Sequence, residues 1–280
     1  MVEKVFYGLL GYPVKHSLSP IMHNSAFKAL GIPAEYKLFE REPYQVESFL
    51  KSLAKQNILG LNVTIPYKEV VIRYLDRLSP QAKFTGAVNV IVAEGEYLKG
   101  YNTDGSGFLR HLTQDLGFEP QGKKAVVLGG GGASKAVVNQ LALNKIKSVS
   151  IYDIDRKKAE TLVEKLNREF PLCQAQLISC LEDLDLTEVS LLVNATPVGM
   201  KGEPSLIKRE KLHSQLLVYD LIYNPPQTEL LKIAQERGAR VSNGLGMLLY
   251  QGAESFELWT QKPAPVEVMR KALEEAIKEL

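Results

Sequence analysis

The segment from Lys124 to Val138 constrains this chain more than any other. Five mostly apolar residues run into four consecutive glycines, Gly129, Gly130, Gly131 and Gly132, and Ala133 then opens a stretch patterned as a helix. Strand, glycine turn and helix in that order give a G-x-G-x-x-[GA] spacing its meaning. Gly129 permits the tight turn, Gly131 lets the backbone approach a pyrophosphate, and a small residue one turn later lets helix and strand pack. The first-turn N–H groups of the helix lack internal partners and are free to bind phosphate oxygens. A plain βα turn explains this run poorly, because successive glycines are costly in folding entropy. A second strand, Ser148 to Tyr152, ends in Asp153, which lies 24 residues after Gly129. An acid at about 20 residues' distance is where a ribose hydroxyl is read. The segment therefore predicts a dinucleotide-binding unit.

With 280 residues the chain has room for one large or two ordinary domains. Its 34 basic and 32 acidic residues leave a net charge of +2, which gives no reason to expect nucleic acid or an anionic membrane as partner. No apolar run reaches the roughly 18 residues of a membrane span. Met1 to Lys4 leads directly into a strand-like run, without the apolar core and cleavage site of a secretory signal. Cys173 and Cys180 suggest neither a disulfide framework nor a zinc site, and no metal is expected. The protein reads as cytoplasmic.

Before the glycine run, the pattern alternates. Strands are expected over Val5–Tyr12, Ala34–Glu40 and Gly60–Ile65, and helices from Ser19 or Pro20 to Leu30, over Tyr44–Gln56, and from Pro66 to Asp76. Ser19 has the makings of an N-cap, with Pro20 at the first helical position. Residues 87–92 and 97–101 flank a Gly-containing turn and read as a hairpin. A helix from Asp104, its expected cap, to Leu116 leads to the glycine unit. Strands near 175–178, 190–195, 216–222 and 240–242 follow, with helices over 156–169 and 229–237. The tail is helical over 247–260 and from Val266 onward. Two α/β units are expected, dividing near residues 104–120.

A nucleotide fold does not name a reaction. In the first half, three stretches place short polar groups at strand ends: Ser17 to Ser19, Asn62 to Lys68, and Asn102 to Gly105. Ser17 and Ser19 could bind an anionic or polyhydroxylated ligand, or Ser19 could simply cap its helix. Asn62 and Thr64 share a strand face by the period of two. Lys68, at the start of the next expected helix, opposes the macrodipole there, although a solvated lysine would also satisfy the pattern. The four histidines show no metal-ligand spacing. The chemistry left is hydride transfer supported by proton transfer from a Lys or an Asp.

These stretches resemble the signatures of the shikimate dehydrogenase family. The likeness is carried by Gly11 to Asn24, Asn62 to Lys68, Gly86 to Asn89, Gly100 to Gly105, Gly129 to Ala136, Asn194 to Met200, Asp220 to Pro225 and Gly244 to Gly252. Eight motifs in register cover the whole chain. The resemblance implies a substrate-binding and catalytic domain over residues 1–105 and 246–280, and a Rossmann-like dinucleotide-binding domain over 106–245, with the helical tail returning to the substrate domain. It also implies reversible NAD(P)H-dependent reduction of 3-dehydroshikimate to shikimate, in aromatic amino-acid biosynthesis, or the related NAD-dependent quinate/shikimate activity of quinate catabolism.

By the same resemblance Lys68 and Asp104 form the catalytic pair. Ser17 and Ser19, with Tyr223, bind the substrate carboxylate, and Thr64, Asn89 and Gln251 hold the carboxylate end and ring hydroxyls. Gly129 to Ala133, Asp153, Thr196, Met200, Gly244 and Met247 serve the cofactor. A monomer or homodimer working on a small molecule is implied. One departure bears on the cofactor. NADP-using members typically carry Asn-Arg-Thr after the second nucleotide-domain strand, whereas this chain has Asp153-Ile154-Asp155. The acid favours NAD, with NADP as the family's default and the alternative.

Overall fold

Two six-stranded sheets organise the computed structural model, which describes residues 4–278. The first contains β1 (Val5–Gly11), β2 (Ala34–Glu40), β3 (Ile58–Val63), β4 (Arg77–Leu78), β5 (Val90–Glu94) and β6 (Tyr97–Tyr101), in the order β2-β1-β3-β5-β6-β4. β1 pairs in parallel with β2 and β3, while β5 runs antiparallel to β3 and forms a hairpin with β6. Leu10, Leu61 and Ile91 are fully buried, as expected of strands covered on both faces. Helices α1 (Ser19–Ala29), α2 (Val46–Lys51) and α3 (Pro80–Thr85) belong to this unit. The tail supplies α8 (Leu245–Thr260) and α9 (Val266–Ile277). The Trp259 indole of α8 donates to the Ile91 carbonyl over 3.0 Å and lies against Gly60, where any side chain would collide with it.

The second sheet is wholly parallel. Its strands are β7 (Lys124–Leu128), β8 (Ser148–Tyr152), β9 (Gln174–Leu177), β10 (Leu191–Asn194), β11 (Leu217–Asp220) and β12 (Arg240–Ser242). They lie in the order β9-β8-β7-β10-β11-β12. Counted within the unit this is 3-2-1-4-5-6, the order of a dinucleotide-binding fold, with the topological switch between β7 and β10. Helices α5 (Gly132–Leu143), α6 (Arg156–Glu169) and α7 (Glu229–Glu236) connect the strands. The chain divides into one compact unit of residues up to Gly107 and from Leu248 onward, and another over Phe108–Met247. The first division falls inside α4 (Asp104–Arg110), which continues as a π-helical turn over His111–Asp115.

Local expectations failed where tertiary contacts claimed the backbone. No helix runs from Pro66 to Asp76; a short 3₁₀ segment spans Val70–Tyr74. The Lys68 carbonyl, which a helix would direct to Ile72, instead accepts the Val88 N–H at 2.7 Å. Lys68 therefore stands in a turn, and the helix-dipole argument does not apply to it. The helix expected over Tyr44–Gln56 contracts to α2 between two 3₁₀ turns. There the Ser52 hydroxyl bonds the Phe49 carbonyl, a local competitor to helical pairing. α3 was not foreseen; it is a short helix capped by the Ser79 hydroxyl on the Ala82 N–H. Among the described residues no helix is long and apolar enough to cross a membrane.

Candidate active site and dinucleotide loop

In the first unit, Lys68 and Asp104 meet. The Lys68 ammonium donates to Asp104 Oδ2 at 2.6 Å, with Asp104 buried and Lys68 partly open to solvent. Asp104 is the first residue of α4 and not its cap. Its other carboxylate oxygen, Oδ1, accepts from Asn89 Nδ2 at 2.8 Å. Asn89 is the organiser here. Its Oδ1 accepts the Thr103 N–H at 2.8 Å, and its Nδ2 also reaches Thr103 Oγ1 and, at 3.4 Å, Gln251 Oε1. The Thr103 hydroxyl donates to the Gln251 carbonyl at 3.1 Å. α4 and α8 approach this closely because residue 107 is glycine: a Cβ there would stand 2.5 Å from the Gln251 nitrogen.

Ser17 and Ser19 sit at the start of α1. The helix begins at Ser19, so Ser19 is its first residue and not its cap; Leu18 holds the cap position without a side-chain bond, and the Ser17 hydroxyl accepts the Ser19 N–H at 3.2 Å. Thr64 follows β3, half-buried, with its methyl against Gly11, where a side chain would block both Thr64 and Val14. Asn62, on β3, turns inward. It accepts from the Tyr36 hydroxyl at 2.8 Å and donates to the Asn89 carbonyl and to Ser255 Oγ. That residue is scaffold, holding the strand that carries Asn89 to the helix that carries Gln251.

The second unit presents the glycine run at the switch between β7 and β10. Gly129 adopts φ +110°, and a Cβ there would meet the Ala195 carbonyl oxygen at 2.8 Å, so the turn requires glycine. Gly131 and Gly132, entering α5, have nothing within 4 Å of a notional Cβ. Open space over bare backbone at a helix N-terminus is a cradle fit for a pyrophosphate. Asp153 Oδ2 accepts the Gly130 N–H at 2.6 Å and Oδ1 accepts the Asp155 N–H at 2.7 Å. An ionised carboxylate has about four acceptor positions, so ribose hydroxyls can still be served. Thr196 and Met200 lie in the turn after β10, with Met200 exposed. Gly244 packs under the Leu221 carbonyl, leaving no room for a side chain, and Met247 is buried at the start of α8. Among the described residues no cluster of His, Cys, Asp and Glu could hold a metal ion.

Residues 9–91 match the model of the shikimate dehydrogenase substrate binding domain, and residues 244–274 that of the shikimate 5'-dehydrogenase C-terminal domain. The chain is 45% identical to the shikimate dehydrogenase (NADP(+)) of Methanopyrus kandleri, over 97% of this chain and 95% of that one. The chain belongs to the shikimate dehydrogenase family. Shikimate 5-dehydrogenase of Listeria monocytogenes, solved with shikimate and NAD, superposes with a TM-score of 0.91 at 39% identity, covering 98% and 97% of the two chains. Quinate dehydrogenase of Corynebacterium glutamicum, solved with NAD, gives 0.89 at 29% identity, covering 98% of this chain and 100% of that one.

Within the first unit of this shikimate dehydrogenase family member, the fold gathers Lys68, Asn89, Asp104 and Gln251 into one hydrogen-bonded cluster from four separate segments. Tyr223 belongs to the second unit, in the turn after β11, where burial raises the pKa of its phenol. Sequence reasoning missed Tyr36, Ser255 and, in the second unit, Thr228, and it gave no role of their own to Thr103, Asn194 and Asp220, which lie in stretches it singled out. Two of these had a signal. β10 and β11 are apolar runs ending in Asn194 and Asp220, and the two residues stand side by side in the register. Tyr36 and Ser255 had none, because their partners lie 26 and 193 residues away in sequence.

Proposed function

We propose that this chain catalyses the reversible dinucleotide-dependent reduction of 3-dehydroshikimate to shikimate, a cytoplasmic step of aromatic amino-acid biosynthesis, as a monomer or homodimer. The observation that carries the reading is the Lys68–Asp104 pair at 2.6 Å, held by Asn89 beside Gln251. The bound nicotinamide dinucleotide supplies or takes the hydride. As a ketone is reduced, negative charge gathers on its oxygen. An ammonium has three N–H bonds; one of Lys68's is directed to Asp104, and the others can stabilise that charge and deliver the proton. Asp104 keeps the ammonium oriented and accepts from a neighbouring ring hydroxyl. Ser17 and Ser19 bind the carboxylate, while Thr64, Asn89 and Gln251 hold the carboxylate end and the ring hydroxyls.

NAD is the favoured cofactor. A 2′-phosphate would meet the carboxylate of Asp153, with Asp155 beside it, and Ile154 offers only an exposed apolar side chain. Repulsion of that kind selects against NADP as well as for NAD. Of the cations that follow, Arg156 bonds Glu160 at 2.6 Å, and Lys158 lies 3.6 Å from Asp155. Initial rates with shikimate and quinate, each with NAD and NADP, test both parts. Dominant turnover of quinate would assign the chain to the catabolic branch. Higher kcat/KM with NADP would overturn the cofactor reading. Asp153→Asn with Ile154→Arg should move preference toward NADP.

A further inference from the structure

The second unit contains a buried carboxylate that the proposed chemistry leaves without a role. Asp220, the last residue of β11, is wholly buried, and among the described residues no cation stands with the groups that act on it. Its Oδ1 accepts from Asn194 Nδ2 at 3.0 Å and from the Ile222 N–H at 3.1 Å. Its Oδ2 accepts from the Thr228 hydroxyl at 2.7 Å. A carboxylate can only accept, so it dictates which way the Asn194 amide faces. With Nδ2 committed to Asp220, Asn194 Oδ1 must face the following turn. There it takes the Thr196 N–H at 3.1 Å and the Thr196 hydroxyl at 2.6 Å. The second proton of Nδ2 goes to the Val198 carbonyl at 3.1 Å, and the Thr196 hydroxyl oxygen accepts the Val198 N–H. Every polar group of Asn194's side chain is thus used to shape residues 196–198, and Asp220 selects the orientation that allows it.

That turn leaves β10, across the switch from the glycine run. In a fold of this order the two mononucleotide halves bind on either side of the switch. Asp153 and the glycines attend the adenosine half, so the turn at 196–200 attends the nicotinamide half. We propose that Asp220 is a positioning residue for the nicotinamide half of the cofactor, acting through Asn194 on the turn that carries Thr196 and Met200. The inference rests on the dinucleotide reading of that turn. Burying an ionised group without a counter-charge is costly, and burial does raise the Asp220 carboxyl pKa against the pull of its three donors. A neutral, well-packed side chain would serve a merely structural role at lower cost.

Calorimetric titration separates the possibilities, using NAD, NADP and ADP-ribose, the last of which lacks the nicotinamide half. Asp220→Ala should weaken the better-bound dinucleotide by roughly tenfold, the order expected when a buried hydrogen bond no longer sets a loop. ADP-ribose should still bind within about twofold of wild type, far less than the ~1.4 kcal/mol of a tenfold loss. Asp220→Asn, which keeps one acceptor and the shape, should fall between the two and remain measurable if the alanine variant does not fold. Equal weakening of dinucleotide and ADP-ribose would make Asp220 structural and overturn the proposal, as would unchanged binding of both. Thr196→Ala with Met200→Ala tests the underlying reading separately. If that pair leaves dinucleotide binding intact, the turn does not serve the cofactor, whatever Asp220 does.

Discussion

Replacing Lys68 by alanine is the sharpest test of the active-site assignment, because the structure separates its catalytic cost from its structural one. Among the described residues the ammonium's side-chain partner is Asp104, and the side chain remains 30% exposed. A half-open ion pair contributes about 1 kcal/mol or less to stability. Without Lys68, Asp104 still accepts from Asn89 and sits in the first turn of α4, where a negative charge is favoured. The variant should therefore unfold within about 1 kcal/mol of wild type in urea. Activity should respond quite differently. A positioned proton donor contributes on the order of 10²- to 10⁴-fold in rate, equivalent to about 3–5 kcal/mol of transition-state stabilisation. The charge on the ketone oxygen exists only in the transition state, so kcat should fall by that factor while the KM for shikimate changes little. Initial-rate kinetics of shikimate oxidation over a range of both substrates measure it. Retention of more than about a tenth of kcat, a loss under ~1.4 kcal/mol, would refute the role given to Lys68.

Three other outcomes follow from the same geometry. Asn89→Ala strips the buried Thr103 N–H of its acceptor and should cost about 1–3 kcal/mol in urea unfolding, together with a fall in kcat as Asp104 loses its orienting donor. Gly107→Ala forces α4 and α8 apart at Gln251 and should destabilise the protein by about 1–3 kcal/mol while raising the KM for shikimate; an unchanged KM would mean that Gln251 does not touch substrate. His23 lies fully buried and stacked on Tyr36, and burial lowers its pKa to about 3, an effect the nearby Asn62 offsets only in part. The unfolded chain takes up this proton near pH 6.5 and the folded one does not until about pH 3. Stability from this group is therefore complete above pH 6.5 and is lost as pH falls toward 3, by about 1.4 kcal/mol per unit. Urea midpoints from near neutrality downward should fall more steeply in wild type than in His23→Phe, and parallel slopes would exclude the effect.

The second unit was legible in the sequence because its information is local. Five apolar residues, four glycines and a helix pattern sit within one short segment, and steric limits on the turn at Gly129 act between near neighbours. β2 and β12 likewise begin and end where apolar patterning and flanking turns placed them. Lys68 shows the opposite case. Its surroundings read as a helix start, yet the Val88 N–H, 20 residues on, takes its carbonyl and leaves the side chain on a turn facing Asp104. Asp104 could be named from its motif, but as a helix cap or a catalyst it looked alike in sequence. That it meets Asn89, from just before β5, and that Asn89 in turn reaches Gln251 on α8, is decided only by the fold. Asp220 could be seen at the end of an apolar run, but its bonding could not: a single acid at a strand end has no assigned partner until Asn194 and Thr228 are brought to it. Backbone sterics and amphipathic period are written along the chain and decide which elements form. Which polar side chains share a buried hydrogen-bond network depends on contacts between distant segments, and the cost of leaving any of them unpaired is settled only when the core closes.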